Sequence, residues 1–273
     1  MEQPIIHCYL PFDCVEQISS TIGSLKACGY PLSITLLLSK DRKDPGIEGC
    51  GALFTNDLYS TETIRKIAGE IPENGYTILC SEYSPVRFGT HAIDRFIHIA
   101  EDTGSGLCYA DCYKNVAGKD EKHPVIDYQT GSIRDDFDFG SILFYRNRSI
   151  REAAGQMKKI FRYAGWYDLR LRVSQGGLPV HIPEFLYSQD EYDFRKSGEK
   201  QFDYVDPRNR AVQIEMEQAC TDHLKTIGAW LPQRTQTFDA KTKKFDVEAS
   251  VIIPVYNRVR TIGDAVRSAL GQE

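Results

Sequence analysis

Carboxylates that follow apolar runs are the residues of this chain that could do chemistry. One carboxylate can take a proton from a hydroxyl, and several together can hold a divalent cation. Asp111 falls in "YADCY", where an apolar run ends. It is either a turn former or a group placed at the sheet end where ligands of α/β folds bind. Asp136 and Asp138 make an Asp-x-Asp spacing in "IRDDFDFG". Beside Arg134 they read either as an acidic loop or as carboxylates lent to a crevice. Glu82 follows "YTILC", and Asp41 follows "SITLLLSK". Asp168, in "GWYDLRLR", is either the partner of Arg170 or Arg172 or a catalytic group.

Other chemistries find less support. The cysteines at 8, 14, 28, 50, 80, 108, 112 and 220 are scattered, which fits a reduced, cytosolic protein better than a disulfide framework. Cys108 and Cys112 have the wrong spacing for a zinc knuckle, and the six histidines contain no HExxH. His91 and His98 fall on the polar side of a helical pattern. The loops "GIEGCG" and "TGSG" match neither G-x-G-x-x-G nor a P-loop. A net charge of −5 with interspersed signs points away from nucleic acid, and the longest apolar run, "ITLLL", is too short to span a membrane. No charged-then-apolar leader opens the sequence, so export is not expected.

The elements that must position these carboxylates alternate. "IIHCYLP" reads as a strand, Val15 to Ala27 as a helix closed by Gly29, and "LSITLLL" as a strand buried on both faces. After a Gly-rich loop, Ser60 or Thr61 caps a helix to about Ala68, and "GYTILCS" is the third strand. Thr90 caps a helix whose stripe is Ala92, Ile93, Phe96, Ile97 and Ala100, ahead of the strand "GLCYAD". "SILFYR" is a further strand. Ser149 and Glu152 then read as a capping box for a helix with Ile150, Ala153, Met157, Ile160 and Phe161 on one face. Trp166 to Gln175 is amphipathic and "LPVHIPEFLY" closes the unit. This is an α/β domain with a mostly parallel sheet flanked by helices.

From Gln189 to Lys200 the composition turns charged, as in a surface connector, and Asp206-Pro207 starts a helix that continues to Gly228. The last residues, "ASVIIPVYNRVRTIGDAVRSALGQE", read as strand, loop and helix, the opening of a domain. They repeat the N-terminal "YLPFDCVEQISSTIGSLKA" at an offset of about 243 residues, with Pro11 matching Pro254 and Ile18 matching Ile262. The organisation expected is a domain over 1–190, a connector and long helix over 191–245, and a truncated second copy over 246–273.

These residues resemble the family 2 glycosyltransferases. The C-terminal "SVIIPVYNRVRTIGDAVRSALGQE" is similar to the opening of that family's domain, and "GSILFYRNRSIREA", "YAGWYDLRLRVSQGG" and "LPVHIPEFLY" are similar in order and spacing to its second half. The resemblance implies a GT-A-like, Rossmann-related sheet with a C-terminal helical linker. It implies transfer, by inversion, of a sugar from a nucleotide-diphosphate donor to a glycan or other hydroxyl acceptor. It also implies a divalent cation, Mn²⁺ or Mg²⁺, and a second transferase domain as partner.

The family holds its metal with a DxD at the end of a strand and draws its base from an ED-x-D run on a later helix. Here "SEYSP" comes after the strand "YTILC", leaving Glu82 or Asp111 for the metal. "GWYDL" replaces the acidic pair by Gly165 and Trp166, leaving Asp168, Asp136 or Asp138 as base. Pro11, Phe12 and Asp41 would form the donor pocket. Tyr109, Tyr113, Tyr128, Phe137 and Phe139 pack a core or, for one or two of them, face a sugar ring. The missing acidic residues open an alternative, a catalytically degenerate GT-A-like module that docks the following domain.

Overall fold

The structure, a computed structural model, describes residues 3–116, 118–190, 210–232 and 249–272. Two units divide the chain, Met1–Trp230 and Leu231–Glu273. The expected connector beyond Asp190 and the helix start at Asp206-Pro207 lie outside the described residues.

The first unit is built on one nine-stranded sheet. It runs β1 (Ile6–Pro11), α1 (Val15–Ala27), β2 (Leu32–Ser39), β3 (Cys50–Thr55), α2 (Thr61–Glu70), β4 (Tyr76–Cys80) and β5 (Val86–Phe88). Next in the chain are α3 (Ala92–Thr103), β6 (Leu107–Val116), β7 (Lys119–His123), β8 (Ile142–Arg146), α4 (Asn147–Gln156), α5 (Gly165–Gly176), β9 (Val180–Asp190) and α6 (Arg210–Thr226). The strand order is β3-β2-β1-β4-β8-β6-β9-β5, with β7 paired to β6. β1, β2, β3 and β4 are parallel, β8 inserts antiparallel between β4 and β6, and β6 and β9 are parallel again.

Side-chain alternation gives this sheet two apolar faces. Cys8, Leu10, Leu36, Leu38, Ile78 and Cys108 pack with α1 and α3 through Ile18, Ile22, Leu25, Ile93 and Phe96. The residues between them, Tyr9, Leu37, Leu79 and Tyr109, pack with α2, α4 and α5 through Ile64, Ile67, Ile150, Ala153 and Leu169. Burial on both faces is why β1, β2 and β4 read as unbroken apolar runs. Each fully buried Ile or Leu contributes about 1.5–3 kcal/mol. A third cluster joins α6 to α5: Ala219 is enclosed with Phe161, Ala164, Tyr167 and Leu171.

Several expected boundaries move. The Gly-rich loop contains β3, which pairs with β2 from Ile34↔Cys50 to Ser39↔Thr55. Gly51 and the short run after it hid that strand. β5, Val-Arg-Phe, is too short to show its alternation, and the charged hairpin strand β7 has no apolar signature. The stripe of α3 is as expected, but its N-cap is His91 rather than Thr90. The capping box of α4 is not formed either: the helix begins at Asn147, Ser149 is inside it, and Glu152 pairs with Arg148 instead. α4 ends at Gln156, so Met157 and Phe161 reach the core from a loop while Ile160 stays exposed.

The second unit holds α7 (Val259–Leu270), which buries no side chain. Val251–Ile253 do not form the expected strand, because no described strand lies alongside to complete a ladder.

Candidate active site

The C-terminal ends of β1, β2 and β4 lie side by side, with Pro11 opposite Leu37 and Tyr9 opposite Leu79. Pro11 and Phe12 are buried, and the Phe12 amide donates to the Leu37 carbonyl at 3.1 Å. Beyond them Arg42 donates to the Asp13 carboxylate at 2.7 Å and to its carbonyl, tying the exit of β2 to that of β1. Tyr83, past β4, comes within electrostatic reach of the same pair: burial raises its phenol's pKa, Arg42 opposes this and Asp13 adds to it. The three exits therefore share one rim. Asp41 is exposed on it, and the Ser39 hydroxyl donates to its carboxylate and holds it below the usual carboxylate range. Of the donor-pocket candidates Asp41 alone presents an open side chain; Pro11 and Phe12 shape the rim from beneath.

Glu82 and Asp111 do not converge as cation ligands. Glu82 accepts a hydrogen bond from the Gln189 amide. Asp111 does not close its strand. β6 runs on to Val116, and Asp111 sits buried at an irregularity in the β6–β9 register. It accepts from the Val125 amide at 2.9 Å and faces His181 Nε2 at 2.8 Å. The other imidazole nitrogen faces Asp127 at 2.7 Å, and the ring stacks on Tyr109. Asp111 thus fastens the segment after β7 to β9. Among the described residues no group of three or more His, Cys, Asp and Glu could hold a metal ion. As placed, these residues do not fit the divalent cation that the resemblance implies.

In "DDFDFG" alternate side chains go opposite ways. Asp136 is exposed and paired with Arg134 at 2.6 Å. Asp138 accepts from His123 at 2.7 Å and from the Gly140 amide at 2.8 Å. Burial alone would raise the Asp138 pKa, but these two bonds leave it lowered. Asp138 and Glu82 share a neighbourhood: burial pushes the Cys112 thiol up to about 11, and both carboxylates push in the same direction. Asp135, Phe137 and Phe139, the residues in between, line a hollow of about 410 Å³.

That hollow opens beside Ser81, at the end of β4. Leu143 and Tyr145 of β8 line it, with Tyr59, Tyr163, Trp166, Tyr167 and Arg170 around α5 and Val212 and Met216 from α6. Its aromatic walls are fixed by hydrogen bonds. The Tyr59 hydroxyl donates to the Ser81 carbonyl at 2.9 Å, the Trp166 indole to the Leu58 carbonyl at 2.9 Å, and the Tyr167 hydroxyl to the Ile133 carbonyl. Trp166 also meets Tyr59 edge-on at 5.5 Å.

Asp168 does not line the hollow. It is 2% exposed and lies 2.9 Å from Arg172 Nε, close enough for an ion pair but misaligned for a hydrogen bond. Burial raises its pKa, and Arg172 works against that. Of the two readings open for Asp168, this placement realises the pairing with Arg172. The packing at Gly165 explains why the first of the acidic pair is absent. A Cβ there would stand 2.3 Å from backbone atoms of Ser60 and Thr61, so α5 starts too close to α2 for any side chain.

Among the charged lining residues, the sequence does not single out Asp135, and it names Arg170 only as a carboxylate's partner. The signal for Asp135 is the period of two through Asp135, Phe137 and Phe139. Nothing local in the sequence marks Arg170, there a carboxylate's partner, as facing a hollow.

The chain matches no family model and no curated protein. Among solved structures it is similar to S. aureus TarS 1-349 in complex with UDP (TM-score 0.55, 6% identity, covering 82% of this chain and 65% of that one). It is also similar to TarS 1-349 in complex with UDP-GlcNAc (TM-score 0.53, 8% identity, 82% and 72%). A third is the mannosyltransferase PcManGT from Pyrobaculum calidifontis in complex with GDP-Man and Mn²⁺ (TM-score 0.48, 9% identity, 85% and 66%). The chain spans 60% and 65% of the first two TarS chains it matches. At these identities the likeness is one of fold, and that fold is GT-A-like.

Proposed function

We propose that the first unit is a glycosyltransferase domain. It takes a nucleotide-diphospho-sugar at the rim beside Phe12 and Asp41 and seats a hydroxyl-bearing acceptor in the aromatic hollow. The observation that carries this reading is the hollow itself, set at the end of β4 and walled by ring faces of the kind on which sugars stack. The fold likeness to TarS bound to UDP and to UDP-GlcNAc supports a nucleotide-sugar at the rim. In an inverting displacement a carboxylate removes the acceptor's proton as the hydroxyl oxygen attacks the anomeric carbon, and the bond from that carbon to the diphosphate oxygen breaks, releasing the nucleotide diphosphate. We assign that role to Asp135, the carboxylate of the three in "DDFD" that lines the hollow. Asp136 and Asp138 are engaged by Arg134 and His123. On the same reading, residues 246–273 are the first fragment of a second transferase domain.

Calorimetric titration of the chain with UDP-GlcNAc and GDP-mannose, with and without Mn²⁺, tests the donor site. Binding is expected for at least one donor and is expected to weaken in Asp41→Ala. Where transfer to an acceptor is measured, Asp135→Asn should lower the rate by about 10²–10⁴-fold while donor binding holds. No heat with any donor removes this reading. The placement of Gly165 and Trp166 favours a second one, a GT-A-like docking module that has lost catalysis. Donor binding without turnover in the presence of the second domain's acceptor would select it.

A further inference from the structure

Arg170 is 6% exposed, yet no carboxylate pairs with it among the described residues. Its Nη2 donates to the Arg134 carbonyl at 2.8 Å, and its Nη1 is buried without a hydrogen-bond partner. Three rings share the charge: the guanidinium lies 4.8 Å from the centre of Tyr167, 5.1 Å from Phe139 and 6.0 Å from Tyr128. Cation–π contacts offset part of the desolvation of a buried cation, but they leave its N–H donors unused. A buried charge normally has an opposite charge beside it. Arg170 is also one of the residues that line the hollow.

We infer that the hollow recognises an anionic saccharide, a sugar ring bearing a carboxylate or phosphate whose oxygens pair with Arg170 while the ring lies on the aromatic wall. This rests on the reading of the hollow as the acceptor site and names the acceptor's class. Asp135 and Arg170 line the same hollow, the carboxylate exposed and the guanidinium buried. An anionic group would therefore come to rest at Arg170, leaving the sugar hydroxyls toward Asp135.

The test is binding to the full chain, without donor, of glucuronate, glucose 6-phosphate and glucose at fixed ionic strength, read by ligand-observed NMR or calorimetry. Glucuronate or glucose 6-phosphate should bind at least about tenfold more tightly than glucose, and the stronger of the two identifies the anionic group. Arg170→Met should abolish that preference while keeping the melting temperature at or above that of the parent, because an apolar side chain of similar volume relieves a buried unpaired charge. Asp135→Asn, a change at an exposed position, should strengthen binding of the anionic sugar severalfold. Equal binding of all three sugars, binding of none, or a preference that survives in Arg170→Met overturns the inference. Because donor is absent, anionic-sugar binding here together with failure of every nucleotide-sugar titration would sink the transferase reading and leave this one standing.

Discussion

Gly165 is the residue at which the departure from an acidic catalytic run has a physical cause. The α5 N-terminus is drawn against α2 by bonds from the Gly165 and Trp166 amides to the Tyr59 carbonyl, at 2.8 and 3.3 Å. A methyl group at 165 would meet backbone at 2.3 Å, and backbone cannot swing aside as a side-chain tip can. Gly165→Ala should therefore cost on the order of 1–3 kcal/mol or more, read as a lowered urea midpoint. An unchanged midpoint would mean that α5 can move off α2, and that a Glu at 165 is compatible with the fold. Residue types told this story in part. The replacement of the acidic pair was visible in "GWYDL", but the cause at Gly165 needed the approach of two helices far apart in the chain, beside the bond from the Phe161 amide to the Thr61 hydroxyl 100 positions earlier. For Asp111 the sequence misled, since a strand that continues past an Asp through a register shift looks the same as one that stops there.

At the scale of elements, strands buried on both faces were legible, because β1, β2 and β4 carry the apolar runs that such burial demands. β5 and β7 were not, since a three-residue edge strand and a hairpin arm with the sequence "KDEKH" owe their pairing to neighbours rather than to composition. The packing of α6 on α5 was only partly legible, and it has a measurable electrostatic consequence. His223 of α6 is buried against Gln175, at 3.1 Å, with Arg170 and Arg172 nearby. Burial lowers its pKa below the ordinary 6.5, and both arginines act in the same direction. Below pH 6.5 the unfolded chain takes up a proton that the folded chain still refuses, so stability is lost as the pH falls through that window. His7, lowered by burial, adds a loss of the same sign. His223→Gln should leave unfolding less sensitive to acid between pH 7 and 5 than the parent, with the residual slope due to His7 and the carboxylates. An identical pH slope in the two proteins would show that His223 is solvated in the folded state.

For the whole molecule, the repeat that sets Pro11 against Pro254 and, one residue out of step, Ile18 against Ile262 needs no knowledge of packing to be read, while the expected charged connector lies outside the described residues. Among the described residues, the three apolar clusters are built from residues 6–220. In the second unit, Val251, Ile252, Tyr256, Val259 and Leu270 are exposed, and the twelve residues of α7 bury nothing. A helix of that length with no packed face is marginal in water. A chain ending at Trp230 should therefore unfold with the same midpoint and cooperativity as the full chain, whereas a peptide of residues 249–273 should show little helix by circular dichroism. The two measurements separate two origins of the family-like ending. A fragment of a second domain needs that domain's own sheet to become ordered, so it should contribute nothing to the stability of the first unit. If the shortened chain melts several degrees lower, the ending is an integral part of the first unit, and the proposed second transferase domain loses the segment on which it rests.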